Sequence, residues 1–201
     1  MLPLIHLPGT PTLLAGRGPA FLKRLDLLES AGMADLSVHT DAADEALTER
    51  LGARLHPALP TDSEIDGARL LFVAGLDDAE SGRLAAAARA RRIPVNVEDV
   101  PAQCDVHVPA LVRRGDLLLS VSTGGGAPAL AAAIRGWLED SFGVEWADRL
   151  QEVAALRTRL RSDGAMPAEV IRRVRDHLAV SDWAPLAAGP RCRHAAPPSN
   201  A

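Results

Sequence analysis

Short apolar runs alternate with amphipathic stretches over the first two-thirds of the chain. The clearest run, Arg69–Ala74, is continuously apolar after its first residue, which is typical of a strand buried on both faces of a parallel sheet. The amphipathic stretches between the runs predict helices that cross from one strand to the next. The sequence therefore predicts an α/β fold, a Rossmann-like, doubly wound parallel sheet.

Strand and helix patterns extend this prediction along the chain. Predicted strands cover residues 12–15, 36–39, 54–56, 69–74, 94–97 and 116–121, and helices cover 18–31, 41–51 and 80–92. A helix with Leu130, Ile134, Trp137 and Leu138 at helical spacing follows the last strand. We assign residues 1–112 to the Rossmann-like domain, 113–146 to a strand-and-helix segment, 147–186 to a helical region and 187–201 to a disordered tail.

Composition narrows the possible functions. The net charge of −4 gives no basic face for nucleic acid, and no apolar run approaches the roughly 18 residues that a membrane span needs. Two cysteines far apart, Cys104 and Cys192, are typical of a reducing compartment. We expect a soluble, cytoplasmic protein that binds neither nucleic acid nor membrane.

A glycine turn, Gly16-Arg17-Gly18-Pro19-Ala20, joins the first strand to the first helix. Glycines there let the backbone approach a pyrophosphate that the helix N-terminus attracts. An ordinary tight turn would use the same residues, so this motif alone leaves both interpretations open.

Asn96-Val97-Glu98-Asp99 lies at the carboxyl end of a predicted strand, where open α/β sheets bind ligands. The alternative is a pair of solvated acids before a loop proline.

Ser122-Thr123-Gly124-Gly125-Gly126 precedes Pro128 and a helix, and could present backbone N–H groups to an anion. A flexible connection is the alternative. Arg113 and Arg114 would suit a polycarboxylate, or could form a solvated edge.

The histidines lack the HxxxH or HExxH spacing of a preformed metal cage, so we predict no resident metal ion. Cys104 and His107, three residues apart in a loop, could contact a single metal.

Taken in order, these segments resemble the precorrin-2 dehydrogenase/sirohydrochlorin ferrochelatase family, the N-terminal module of siroheme synthases. The strongest match runs from Ile93 to Pro128 and contains NVEDVPAQCDVHVPALVRRGDLLLSVSTGGGAP. It is similar to the family pattern VNVVDxPxxCDFxxPAxVRRGDLxxxxSTGGxSPALA. Weaker likenesses lie at Leu2–Leu4, Ala15–Gly32 and Val73–Asp78.

The resemblance implies NAD-dependent oxidation of precorrin-2 to sirohydrochlorin, often followed by insertion of ferrous iron. It implies a homodimer formed through the segment at 113–146. The family's acid/base aspartate falls on Asp99. We assign NAD binding to Gly16, Arg17, Gly18, Pro19, Ala20, Thr40 and Asp41, and tetrapyrrole binding to Asn96, Arg113, Arg114, Ser122, Thr123, Gly124 and Gly125.

Departures from the family pattern gather at the glycine turn. Arg17 replaces a glycine, Phe21 replaces a small residue, and Pro19 has no N–H for a phosphate. Leu76 replaces a threonine. Two hypotheses follow: an NAD-dependent dehydrogenase, or a tetrapyrrole-binding or chelatase-only protein whose NAD site has decayed.

Overall fold

The computed structural model describes residues 9–183. The predicted disordered tail at 187–201 lies outside the described residues. The chain forms two compact units, one ending at Val108 and one beginning at Pro109.

The first unit contains a five-stranded sheet in which all pairings are parallel. Its strands are β1 (Thr12–Gly16), β2 (Leu36–His39), β3 (Leu55–His56), β4 (Leu70–Ala74) and β5 (Val95–Val97). Their order is β3-β2-β1-β4-β5, so the winding reverses between β1 and β4. The predicted Rossmann-like fold is confirmed, and the reversal marks where such sheets bind ligands.

Four helices cover the sheet: α1 (Gly18–Ser30), α2 (Glu45–Leu51), α3 (Asp62–Ile65) and α4 (Asp78–Ala90). Phe21, Leu25 and Leu28 of α1 pack in one core cluster, with Leu14 and Phe72 of the sheet. Leu84 and Ala88 of α4 belong to the cluster on the opposite side. Buried apolar surface on both faces explains why the central strands are uninterrupted apolar runs.

Side-chain caps set two helix boundaries that periodicity misplaced. The Asp44 carboxylate accepts from the Leu47 N–H, so α2 begins at Glu45 and not at Asp41. Asp77 accepts from the Glu80 N–H in the same way, so α4 begins two residues before its predicted start. An N-cap acid satisfies a backbone donor that the helix itself cannot.

The second unit begins with an antiparallel hairpin of β6 (Ala110–Arg114) and β7 (Leu117–Val121). Only β7 was predicted; the apolar residues of β6 give way to Arg113 and Arg114, so β6 has no continuous apolar run. Three helices follow: α5 (Pro128–Ser141), α6 (Trp146–Ser162) and α7 (Pro167–Val180). Between residues 9 and 183, no helix is both long and apolar enough to cross a bilayer.

Candidate active site

At the carboxyl ends of β1 and β4, two glycines permit a close approach of backbone atoms. A Cβ on Gly16 would lie 1.9 Å from the Ala74 carbonyl oxygen, and one on Gly75 would lie 2.0 Å from the Arg17 carbonyl oxygen. The Arg17 N–H donates to the Ala74 carbonyl at 3.2 Å. Gly16 and Gly75 therefore fix the turn that precedes α1.

The first turn of α1 offers few donors. The Arg17 N–H is bound to Ala74, and Pro19 has no N–H. Helix geometry leaves the N–H groups of Gly18 and Ala20 without intrahelical acceptors. Gly18 has φ +71°, and a Cβ there would meet nothing within 4 Å, so space is open beside these donors.

Arg17 forms an ion-pair cluster with Asp41 and Glu80. Its guanidinium donates to both carboxylates in bidentate fashion, at 2.7 and 2.9 Å to Asp41 and at 2.8 and 3.0 Å to Glu80. The hydrogen bonds that Arg17 donates to Glu80 and Asp41 raise the pKa of Arg17. Two carboxylates around one cation give the cluster a net negative charge, so Arg17 is not a free cation for phosphate.

Thr40 and Asp41 extend from the carboxyl end of β2. Thr40 is buried, and its hydroxyl accepts from the Ala42 N–H at 3.2 Å. Asp41 is exposed and holds Arg17. Of the predicted cofactor residues, the structure thus brings Arg17 and Asp41 into direct contact.

A shallow cavity of about 220 Å³ lies at the end of β5. Its lining includes Asn96, Glu98 and Asp99 from the predicted motif, with Arg24 of α1 and His107. Pockets for drug-sized ligands usually exceed about 300 Å³, so this cavity fits part of a large ligand and not all of it.

Asp99 is exposed at this cavity with φ +60°, a conformation that is uncommon for a residue other than glycine. The neighbouring backbone holds the turn, since the Glu98 N–H donates to the Val73 carbonyl and the Val100 N–H to the Val97 carbonyl. Such a conformation persists only where the surrounding structure maintains it, and it is often found at functional sites.

Asn96 and Cys104 stabilise the turn after β5 through contacts with backbone groups. The Asn96 amide donates to the Val106 carbonyl at 2.9 Å, and the Cys104 thiol contacts backbone groups of Val97 and Val100. Asn96 is buried, and its Oδ1 makes no hydrogen bond among the described residues. One polar atom at the predicted substrate position is thus left without a protein partner.

Arg24 lies beside the cavity and was not predicted. Its guanidinium lies over the Phe72 ring at 5.5 Å and 3.8 Å from the Glu98 carboxylate. Burial lowers the pKa of Arg24, and Glu98 partly opposes that effect. Arg24 is three residues after Phe21 and four before Leu28, so its place on the buried face of α1 could have been found from helical spacing.

In the second unit, Arg114 is held by the end of α5. Its guanidinium donates to the carbonyls of Phe142 at 2.6 Å and Glu139 at 3.2 Å, which caps that helix. Arg113 is exposed. The two adjacent arginines therefore differ in their availability to a ligand.

Three backbone N–H groups of the glycine loop before α5 bind within the loop itself. The Ser122 hydroxyl accepts from the Gly124 N–H, and the Thr123 hydroxyl accepts from the Ala127 N–H. The Gly126 N–H donates to the Thr123 carbonyl. Gly124 and Gly125 have φ +64° and +83°, which explains why the loop needs glycine.

Comparison with known proteins decides the family. The sequence profile described as "Putative NAD(P)-binding" matches residues 4–110, more than half of the chain. The chain belongs to this NAD(P)-binding family.

Siroheme synthases are similar over a longer stretch. That of Pseudomonas entomophila is 36% identical over 167 residues, covering 80% of this chain and 34% of that protein. That of Methylococcus capsulatus is 34% identical over 171 residues, covering 84% and 36%. The chain spans about a third of the length of these relatives. The predicted resemblance is confirmed.

A solved structure named SirC, precorrin-2 dehydrogenase, has the same fold. It has a TM-score of 0.71 and covers 90% of both chains at 18% sequence identity.

The residues at the end of β1 fit an NAD(P) molecule. The N–H groups of Gly18 and Ala20 point from a helix N-terminus, where anions bind favourably. Open space lies beside Gly18, and Gly16 and Gly75 keep side chains out of the turn. Arg17 and Asp41 lie next to these donors and would adjoin the bound group.

Proposed function

We propose that this protein catalyses the NAD-dependent oxidation of precorrin-2 to sirohydrochlorin in siroheme biosynthesis. The observation that carries the proposal is the strained, exposed Asp99 at the end of β5, within the segment that most resembles the family pattern. Membership of the NAD(P)-binding family supports the cofactor, and the similarity to siroheme synthases supports the substrate class.

The dinucleotide would be held at the end of β1 by the backbone N–H groups of Gly18 and Ala20, with Arg17, Thr40 and Asp41 beside them. When bound, NAD supplies the hydride acceptor. Arg17 orients Asp41 through its bidentate hydrogen bonds, and Glu80 holds the other side of the guanidinium.

Asp99 is the proposed general base. The oxidation removes a hydride and a proton from the substrate, and the Asp99 carboxylate accepts the proton. Its exposure lets it reach a ligand larger than the cavity, while the Arg24–Glu98 pair lies beside it within the cavity lining. A positioned base typically contributes about 100- to 10,000-fold in rate.

The substrate is a polycarboxylate, which cationic and N–H donors would bind. Asn96 contributes to the cavity lining, and Arg113 presents an exposed guanidinium. We assign the loop Ser122–Gly125 to carboxylate binding, as the family pattern implies. Arg114 would act by fixing the end of α5.

We further infer a cytoplasmic homodimer formed through α5. Leu130, Ile134 and Trp137 are exposed on that helix, with 54%, 36% and 61% of their surface accessible. An apolar stripe of this kind often marks a protein interface.

A second candidate is tetrapyrrole binding or ferrous-iron insertion without NAD. Two observations favour it: Arg17 is neutralised by two carboxylates, and Pro19 removes a donor from the same turn.

Replacing Asp99 by Asn tests the proposal. We expect precorrin-2 oxidation to fall at least about 100-fold, because an amide cannot accept the proton. Asp35→Asn is the matched control, since Asp35 is an exposed acid preceding the amino end of β2. Activity of Asp99→Asn within threefold of the control would remove Asp99 from the mechanism.

A further inference from the structure

Two histidines and a glutamate meet at the edge of the sheet formed by β2 and β3. His39 and His56 are register partners on these parallel strands, and their rings stack at 4.2 Å between centroids. Glu64 of α3 lies beside them. One ring nitrogen of each histidine and one carboxylate oxygen of Glu64 lie within 4.8 Å of one another.

The supporting contacts leave one ligand atom available on each residue. Nε2 of His39 lies 3.0 Å from the Ser37 hydroxyl, which leaves Nδ1 as the free nitrogen. One oxygen of Glu64 accepts from the Thr61 backbone N–H and hydroxyl, and the other lies 4.0 Å from the His56 ring. A hydrogen-bond partner on the second nitrogen is the usual support of a metal-bound histidine.

His39 carries the strongest indication of a missing ligand. It is 1% exposed, and its Nδ1 is buried without a hydrogen-bond partner among the described residues. The Ala58 backbone lies near the ring, but Nδ1 makes no hydrogen bond of ordinary geometry.

We propose that His39, His56 and Glu64 form a binding site for a Zn²⁺ ion. Two imidazoles and one carboxylate suit zinc and disfavour magnesium or calcium, which take oxygen ligands. Zinc lies about 2.0–2.2 Å from such ligands, so the three atoms must move closer together and the rings must tilt. His56 and Glu64 can do this, because their side chains are 44% and 41% exposed.

The site would hold the short edge strand to the sheet. β3 has only two residues, and the metal would join it to β2 and α3. His39 directly precedes Thr40 and Asp41, so the ion would also fix the start of the segment proposed to bind NAD. The sheet order places this cluster on the opposite side of β1 from β5 and Asp99. The proposed zinc site is therefore separate from the cavity at Asp99.

Zinc titration of the whole chain against a chromophoric chelator tests the site. We expect one equivalent to bind to the wild type, and His56→Ala and Glu64→Gln each to weaken binding at least about 10-fold. Glutamine retains an oxygen for the cap at Thr61, so Glu64→Gln should remain folded. His177→Ala, a histidine of the second unit beside Glu152, is the control and should bind zinc like the wild type.

Two further measurements separate ligation from a structural effect. Zn²⁺ should raise the Tm of the wild type and not that of His56→Ala, whose fold is checked by circular dichroism. Co²⁺ should give the visible spectrum of nitrogen and oxygen ligands without thiolate charge transfer. Undiminished one-equivalent binding in both variants, no binding at micromolar zinc, or a thiolate spectrum would each overturn the proposal.

Discussion

Gly75 is the position where a single methyl group should most disturb the proposed cofactor turn. Its φ of +71° already disfavours any side chain, and an added Cβ would lie 2.0 Å from the Arg17 carbonyl oxygen. Gly32, with φ +74° and no atom within 4 Å of its Cβ position, has the same backbone conformation without the clash. Comparing alanine at these two sites separates conformational strain from close approach.

The conformational cost of an L-residue there is about 1–2 kcal/mol, which is our expectation for Gly32→Ala. Forcing a methyl against the backbone adds about 1–3 kcal/mol, so Gly75→Ala should lower the free energy of unfolding by about 2–5 kcal/mol. Urea unfolding, with equal m-values required, measures both changes. NAD affinity should fall only in Gly75→Ala. If the two variants are equally stable, the close approach of β1 and β4 does not constrain this turn.

Three further predictions concern charge and association. Arg17→Ala leaves the Asp41 and Glu80 carboxylates without their cation, so they would repel a phosphate at the proposed donors. Calorimetry should therefore find NAD affinity at least about 10-fold lower. An unchanged Kd would show that Arg17 is dispensable. Burial raises the pKa of Glu29, but hydrogen bonds from Arg50 and Arg54 outweigh it and hold the pKa below 4.5. A depressed carboxyl pKa gives stability that is present above pH 4.5 and lost as the pH falls through the folded value. The stability difference between wild type and Glu29→Gln should therefore shrink in acid, and a difference independent of pH would refute the assignment. Light scattering should find a dimer for the wild type and a monomer for Trp137→Asp. Ile171→Asp, which places the same charge on another exposed apolar residue, is the control and should remain a dimer. A monomeric wild type would rule out the α5 interface.

Strands that are recognisable from the pattern of neighbouring residues were predicted from the sequence. Leu36–His39 and Val95–Val97 were found because apolar runs bounded by polar residues identify buried strands without knowledge of their neighbours. The place of Asp99 after a buried strand was predicted from the pattern, and its role as a base stays a prediction from the family resemblance.

Contacts between distant residues could not be predicted in this way. His39 and His56 meet only through the β2–β3 register, and their spacing in sequence gives no sign of it. Arg114 was expected to bind substrate, but its partners are carbonyls 25 and 28 residues later, at the end of a helix. Phe21 was expected to disturb the turn, yet it is 1% exposed and packs in the core beside Gly16. Replacing Phe21 would therefore disturb the packing of the core, so it is not a direct test of NAD binding.

The most direct test is a calorimetric titration of the protein with NAD, followed by turnover of precorrin-2 in the same preparation. Our proposal predicts saturable NAD binding and the formation of one NADH for each sirohydrochlorin produced. Absence of NAD binding, together with iron insertion into supplied sirohydrochlorin, would contradict it and favour a chelatase that works without the dinucleotide.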